Sequence, residues 1–355
     1  MQAKDLIDID QLMPSDLNEI IRTAGVIQEN PSYFTDHCHG KLMATLFYEP
    51  STRTQMSFQA AMLRLGGKLI GFNDPGASSV SKGESLKDTI RVVSNYADVI
   101  VIRNAFEGAA LAASLYSRCP VINAGDGGHM HPTQTLTDLV TLTYEKGQLD
   151  NLVIGLCGDN KNGRTVHSLM KSLAKYKNNR FVMISTPELR VPPYCLAYLD
   201  ALGCKYSYSE SLEESIAELD VLYMTRIQKE RFANPADYEA QKGVFVLDEK
   251  KLARAKPDLR VLHPLPRVDE ITVAVDDDPR ARYFEQTEYG MFARMALIMR
   301  ILENRRYEVP PVPKSTHDAW CTNPRCITRT EEYLPHLFIE NGGKLICQYC
   351  EHEID

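Results

Sequence analysis

The chain has no apolar run that could span a bilayer, no basic segment leading into an apolar core at its start, no excess of positive charge and no internal repeat. A membrane helix needs about 18 to 20 mostly apolar residues, and a secretory leader needs a basic stretch ahead of an apolar one. The opening Met1-Gln2-Ala3-Lys4-Asp5-Leu6-Ile7-Asp8 offers neither, so a cytoplasmic protein without a membrane partner is expected. A net charge of −7 argues against nucleic acid as the main partner, and any anion site must therefore be local. The glycines around Leu152 to Gly158 lack the G-x-G opening of a dinucleotide fingerprint, which argues against a nicotinamide cofactor. No Ser/His/Asp or Cys/His pairing points to a nucleophilic enzyme.

What is present is ordinary in bulk and informative in detail. The 355 residues, 44% hydrophobic and 25% charged, suffice for two or three domains. Helical patterning over Asp16 to Glu29 is followed by strand candidates at Leu42 to Phe47, Lys68 to Phe72, Val99 to Arg103 and Val121 to Ala124, with helices at Ser85 to Tyr96 and up to Lys146. A second series has strands at Leu152 to Gly158, Phe181 to Ile184, Cys204 to Tyr208, Val221 to Thr225 and Val261 to His263, with a helix from Thr165 to Tyr176. Near-continuous apolar strands alternating with helices imply open parallel sheets. The expected architecture is α/β: two parallel-sheet domains, 1–136 and 137–290, the first completed by a helix at 291–305. A Pro-rich linker at 306–318 and a small C-terminal domain at 319–355 follow.

The sharpest local signal is the corner Ser51-Thr52-Arg53-Thr54, where a strand runs directly into an amphipathic helix. Unpaired backbone N–H groups at a helix start lie at the positive end of its dipole and favour anions. Ser and Thr also suit an ordinary N-cap, but an arginine in the first turn opposes the dipole and calls for a bound anion such as phosphate. Parallel α/β sheets bind ligands beyond the carboxyl ends of their strands. That rule gathers Arg103, His131 with Gln134, Arg164, Arg226 with Gln228, and His263-Pro264-Leu265-Pro266 beside the corner, a set suited to one or two small anionic ligands.

The motifs Ser51-Thr52-Arg53-Thr54, His131-Pro132-Thr133-Gln134-Thr135-Leu136 and His263-Pro264-Leu265-Pro266, in this order and at these separations, resemble the aspartate and ornithine carbamoyltransferases. The resemblance covers about residues 5–305 and implies that the first domain binds carbamoyl phosphate and the second an amino acid, in a homotrimer with shared active sites. It assigns the phosphate to Ser51, Thr52, Arg53, Thr54 and Arg103, the carbamoyl oxygen to Arg53, Thr54 and His131, and the carbamoyl nitrogen to Gln134. Ser78 and Lys82 would reach the phosphate from a neighbouring subunit, Lys82 serving both substrates and the chemistry. Ornithine-type enzymes carry a cysteine where Pro264 stands, and the segment Met224 to Arg231 is similar to the aspartate branch. Arg164, Arg226 and Gln228 suit a dicarboxylic acceptor, and the backbone at Pro264 and Leu265 would take hydrogen bonds from the amine and the carbamoyl nitrogen. L-Aspartate is the expected acceptor, with ornithine or another amino acid, or a non-catalytic zinc-containing scaffold, as alternatives. Gln55 stands where family members commonly have arginine and Ser81 where some carry a basic residue, departures that bear on phosphate affinity or subunit contact.

Nine cysteines divide by position. Cys38, Cys119, Cys157, Cys195 and Cys204 sit in apolar or mixed segments and read as reduced, buried thiols. Cys321, Cys326, Cys347 and Cys350 have the spacing of a closed tetrahedral Zn²⁺ site, structural and without an open position for catalysis. About forty residues are too few for a confident independent core, so metal would supply much of the folding energy. Acidic neighbours argue against nucleic acid. The tail resembles the zinc domain of the separate regulatory chain that pairs with catalytic chains in this family. The nucleotide-binding domain of such chains is absent, which implies a fusion that bridges subunits, or joins trimers into a dimer of trimers, without an ATP or CTP response. No catalytic metal or organic cofactor is expected.

Overall fold

In the computed structural model, which describes residues 4–232, 234–304 and 308–354, the apolar strands pair in parallel and form two separate sheets. The expected end of the closing helix at 305, the start of the linker at 306–307, and the terminal residues 1–3 and 355 lie outside the described residues. The chain divides into two compact units, 1–133 with 291–355, and 134–290. The C-terminal segment belongs to the first of them.

The first unit opens with α1 (Pro14–Glu29), β1 (Leu42–Phe47), α2 (Thr52–Arg64) and β2 (Lys68–Phe72). It continues through α3 (Leu86–Val93), β3 (Val99–Asn104), α4 (Ala109–Ser114) and β4 (Val121–Asp126). Its strand order is β2-β1-β3-β4, all parallel. Every residue of β3 is buried, as its unbroken apolar character demands. Because β1 is followed in the sheet by β3, the order reverses between them, and the crevice beyond their carboxyl ends is where such a sheet takes a ligand.

Helix α5 (Pro132–Lys146) leads into the second unit, built from β5 (Val153–Cys157), α6 (Arg164–Leu173), β6 (Arg180–Ile184), α7 (Pro193–Ala201) and β7 (Lys205–Ser209). It continues with α8 (Leu212–Ser215), β8 (Val221–Met224), α9 (Pro235–Gln241), α10 (Glu249–Leu252) and β9 (Arg260–Leu262); the last helix, α11 (Glu285–Glu303), begins in it and runs on into the segment 291–355 of the first unit. The order β7-β6-β5-β8-β9 reverses between β5 and β8. Helix α11 starts at Glu285, ahead of the expected Met291. Its extra turn is held by Gln286 and Tyr289, whose side chains donate to the carboxylates of Asp138 at 2.6 Å and Glu145 at 3.0 Å. Helix α4 was not expected: Ala109 to Ser114 is small and nearly all buried, so it carries no amphipathic period.

The tail forms a three-stranded antiparallel sheet, β10 (Phe338–Asn341), β11 (Lys344–Cys347) and β12 (Glu353–Ile354). It lacks a core of its own and shares one with α3 and α4, where Leu334, Leu337, Phe338 and Tyr349 join Ile90, Ala109 and Ala113. Polar contacts fix the placement. Glu107 donates its N–H to the Arg325 carbonyl at 2.8 Å, accepts from the Ile327 N–H at 2.9 Å and takes the Asn323 amide on its carboxylate at 2.7 Å. Glu331 and Tyr333 accept the N–H groups of Leu86 and Lys87 at 3.0 and 2.8 Å. The tail thus satisfies two of the orphan donors at the start of α3.

Gly108 sits against the tail, with φ +83° and only 2.5 Å from the position of its missing Cβ to Tyr349 Cβ. Gly108→Val should cost at least about 1 kcal/mol from the left-handed backbone alone, and more from the clash. Thermal unfolding and limited proteolysis should show a lower midpoint and faster cleavage within 308–354, whereas unchanged cleavage would contradict this packing.

Candidate active site

In the first unit the corner lies just beyond β1. Ser51 occupies the N-cap position of α2, yet its hydroxyl makes no capping hydrogen bond. The ordinary N-cap explanation therefore fails at the residue best placed for it, and the hydroxyl stays available to a ligand. Thr52 and Arg53 are exposed and Thr54 is buried. Partial burial lowers the Arg53 pKa, which leaves an arginine charged at neutral pH.

Arg103 is the penultimate residue of the neighbouring strand β3, paired in register with Phe47. Its buried guanidinium donates to the Ala124 carbonyl at 3.2 Å and lies 2.7 Å from Glu49, an ion pair of poor hydrogen-bond alignment. The Arg103 Nε is buried without a hydrogen-bond partner. Burial lowers its pKa while Glu49 and Asp126 oppose the shift. An orphaned guanidinium donor at a sheet's reversal point is what an oxyanion would satisfy. His131, also buried, follows β4, with the Thr133 hydroxyl 3.5 Å from its Nδ1. The sheet thus gathers the corner, Arg103 and His131 at adjacent strand ends.

Ser78 and Lys82 are not brought to them among the described residues. The Ser78 hydroxyl donates to the Pro75 carbonyl at 2.8 Å and accepts from the Val80 N–H at 3.3 Å, and Lys82 is exposed at the end of the next short turn.

The second unit repeats the logic. Arg164 starts α6 after β5, Arg226 follows β8, and Pro264 and Leu265 follow β9, again three adjacent strands. The loops after β5 and β8 are laced together. Gln228 donates its side-chain amide to the Asn162 carbonyl at 3.0 Å and its N–H to Asp159 at 3.3 Å. Gly158, at φ +113°, leaves only 2.2 Å between its missing Cβ and the Thr225 carbonyl, so no side chain fits there.

A buried network then orders the remaining groups. Asp138 accepts from Gln134 Nε2 at 2.8 Å, Gln286 Nε2 at 2.6 Å and the Tyr223 hydroxyl at 2.9 Å. Gln286 passes the polarity on, its Oε1 accepting the His263 N–H at 3.0 Å. The Leu265 N–H donates to His263 Nδ1 at 2.7 Å, so the ring proton sits on Nε2 and donates to Glu270 at 2.7 Å. Burial lowers the His263 pKa against the pull of Glu270, with Arg267 and Arg226 adding to the decrease. The neutral ring thereby steadies Leu265 at φ +55°, a strained conformation for a leucine. Because Gln134 uses its nitrogen on Asp138, its oxygen is left to accept from a ligand.

Asp138, Tyr223, Glu270 and Gln286 were not singled out from the sequence. Only Asp138 left a local signal, four residues beyond Gln134 on one helix face.

The four tail cysteines are buried and unbridged. Their sulfurs lie 3.6 Å apart for Cys321 and Cys350 and 3.9 Å for Cys326 and Cys347. Tetrahedral Zn²⁺ with bonds of about 2.3 Å sets its sulfurs roughly 3.8 Å apart, so the cage fits that ion. The Thr328 hydroxyl adds a hydrogen bond to Cys326 at 3.2 Å. The five other cysteines are also unbridged, Cys204 partly exposed and the rest buried.

Family models match three stretches of the chain. Residues 4–144 match the aspartate/ornithine carbamoyltransferase carbamoyl-P binding domain, and 150–301 match the Asp/Orn binding domain. Residues 319–355 match the metal binding domain of the aspartate carbamoyltransferase regulatory chain. The aspartate carbamoyltransferase catalytic subunit of Clostridium novyi is 56% identical over 302 residues, 85% of this chain and 99% of that protein. The catalytic subunit of M. jannaschii aspartate transcarbamoylase superposes with a TM-score of 0.80 at 46% identity, covering 85% of this chain and 98% of the other. The Trypanosoma cruzi aspartate transcarbamoylase in complex with carbamoyl phosphate and aspartate gives 0.78 at 38%, covering 83% and 94%.

The network predicts a coupled cost. Asp138→Asn should lower the unfolding free energy by about 1–3 kcal/mol and Tyr223→Phe by about 1 kcal/mol, with a double variant less destabilised than the sum. Denaturant titration of the four proteins checks this, and strict additivity would contradict a shared network.

Proposed function

The chain belongs to the aspartate/ornithine carbamoyltransferase family, and from that premise we propose how its residues divide the work. It transfers the carbamoyl group of carbamoyl phosphate to the amine of L-aspartate, giving N-carbamoyl-L-aspartate and phosphate, an early step of de novo pyrimidine synthesis. The likeness to aspartate carbamoyltransferase catalytic subunits along nearly their whole length carries this reading. Pro264 in place of the ornithine-type cysteine agrees with it.

Ser51, Thr52, Arg53, Thr54 and Arg103 bind the phosphate, and the orphaned Arg103 Nε and uncapped Ser51 support that role. As the amine attacks, a C–N bond forms, the C–O bond to phosphate breaks and the leaving phosphate takes the amine proton. Negative charge builds meanwhile on the carbamoyl oxygen, where Arg53, Thr54 and His131 stand as donors. Gln134 Oε1 and the Leu265 carbonyl accept from the carbamoyl nitrogen, a polarity that Asp138 and His263 support through their hydrogen bonds. Arg164, Arg226 and Gln228 hold the aspartate carboxylates, and the Pro264 and Leu265 backbone orients its amine. Holding two substrates in register supplies much of the rest of the acceleration.

Ser78 and Lys82 act on a neighbouring subunit's site in a homotrimer, Lys82 reaching both substrates. Exposed Met56 and Leu63, seven residues apart on one face of α2, and Ile70 on β2 support burial against a second copy. The four cysteines hold a structural Zn²⁺, and the reduced thiols suit a cytoplasmic protein. Among the described residues no helix is long and apolar enough to cross a membrane.

Steady-state kinetics separates the roles. Arg53→Ala should cost at least about 100-fold in kcat with the fold intact, while Arg226→Ala should chiefly raise the KM for aspartate. Near-normal turnover of the first, or unchanged aspartate saturation in the second, would contradict these assignments. Chelation of the metal should unfold the tail and lower the melting temperature, read by circular dichroism alongside zinc content. An unchanged melt after complete zinc loss would refute the structural role.

A further inference from the structure

One cluster in the first unit has no part in the scheme above. His129 lies in the loop after β4, its side chain 12% exposed and its Nδ1 3.2 Å from Asp126 Oδ2. Asp126 is a fixed acceptor, since it also takes the N–H groups of Gly108 at 2.8 Å and Met130 at 3.2 Å and the Asn123 amide at 3.1 Å. With Nδ1–H directed at that carboxylate, the ring turns its Nε2 the other way. This nitrogen is sealed from solvent and has no hydrogen-bond partner. Its nearest carboxylate, Glu351 Oε2, is 3.6 Å away, beyond ordinary hydrogen-bond reach.

Asp8 completes the cluster: one ligand atom each from Asp8, His129 and Glu351 lie within 4.8 Å of one another. A tetrahedral ion with bonds of about 2.1 Å spaces its ligands roughly 3.4 Å apart, so the gap between Nε2 and Glu351 has the size of a coordination edge. A carboxylate behind the imidazole and an open nitrogen in front is the arrangement by which proteins orient a histidine ligand. We propose that Asp8, His129 and Glu351 form a second site for a divalent, zinc-like cation, separate from the four-cysteine centre, with water completing its coordination.

The ion would join three distant stretches of chain. Asp8 precedes α1 and caps a short turn through the Asp10 N–H at 3.1 Å; Glu351 belongs to the tail; His129 stands two residues before His131. A cation there would link the tail to the loop that carries His129 and to the segment ahead of α1, within the first unit. Its competitor is a proton. Burial disfavours a charged ring, but Asp126 and Glu351 outweigh it and hold the His129 pKa well above the ordinary value. Metal binding therefore releases that proton and should weaken as pH falls.

The test is metal content of the full-length protein after equilibration with excess Zn²⁺ and removal of free ion, read by mass spectrometry of the metal. Two zinc ions per chain are expected, falling to one in His129→Gln and in Glu351→Gln. Glu351 is 40% exposed on its side chain, so its variant folds even if the histidine variant does not. Replacement with Co²⁺ identifies the ion that is lost: the cysteine centre keeps intense thiolate charge-transfer bands, and the second ion contributes only weak ligand-field bands. One zinc per chain in the unsubstituted protein would overturn the proposal and leave a proton as the sole occupant. Two zinc ions persisting in Glu351→Gln would equally overturn it.

Discussion

A single buried carboxylate sets the polarity of the groups packed around it in the second unit. Asp138 is wholly out of solvent, and amide and phenol donors converge on it. Each donor committed to Asp138 fixes the other end of its own group. Gln134 must present oxygen, Gln286 must accept from the His263 backbone, and His263 in turn steadies Leu265 in a conformation that leucine avoids. The orientation of Gln134, His263 and Leu265 thus rests on one carboxylate buried behind them.

Charge is arranged by the same economy. A chain of net −7 has no general attraction for anions, so cations are concentrated where strand order reverses and helix N-termini add their dipoles. Arg103 shows how tightly this is built: burial would strip a guanidinium of solvation, Glu49 lies against it at 2.7 Å, and its buried Nε is left as a donor that an oxyanion would satisfy.

Much of this was readable in the sequence because it is local. The corner at Ser51 to Thr54, the apolar runs of β3 and β5 and the spacing of the four cysteines each declare themselves within a few residues, and the parallel α/β architecture follows from their alternation. Contacts between distant residues were not readable. Nothing near Asp138 announces Gln286, and nothing near His129 announces Glu351. Helix α4 was hidden by small, buried residues without periodicity, and the early start of α11 by polar residues whose partners lie far back in the chain. The tail shows the same limit. Its four clustered cysteines were plain, whereas its dependence on α3 and α4 for a core came from packing that no spacing reveals.

The functional claim is that this chain carbamoylates aspartate. The most direct measurement supplies the purified protein with carbamoyl phosphate and equal concentrations of aspartate and ornithine, and identifies the carbamoylated product by mass spectrometry. Carbamoyl aspartate as the dominant product, with phosphate released in equal amount, is the result expected. Carbamoylated ornithine in comparable amount, or phosphate release without either product, would contradict the account.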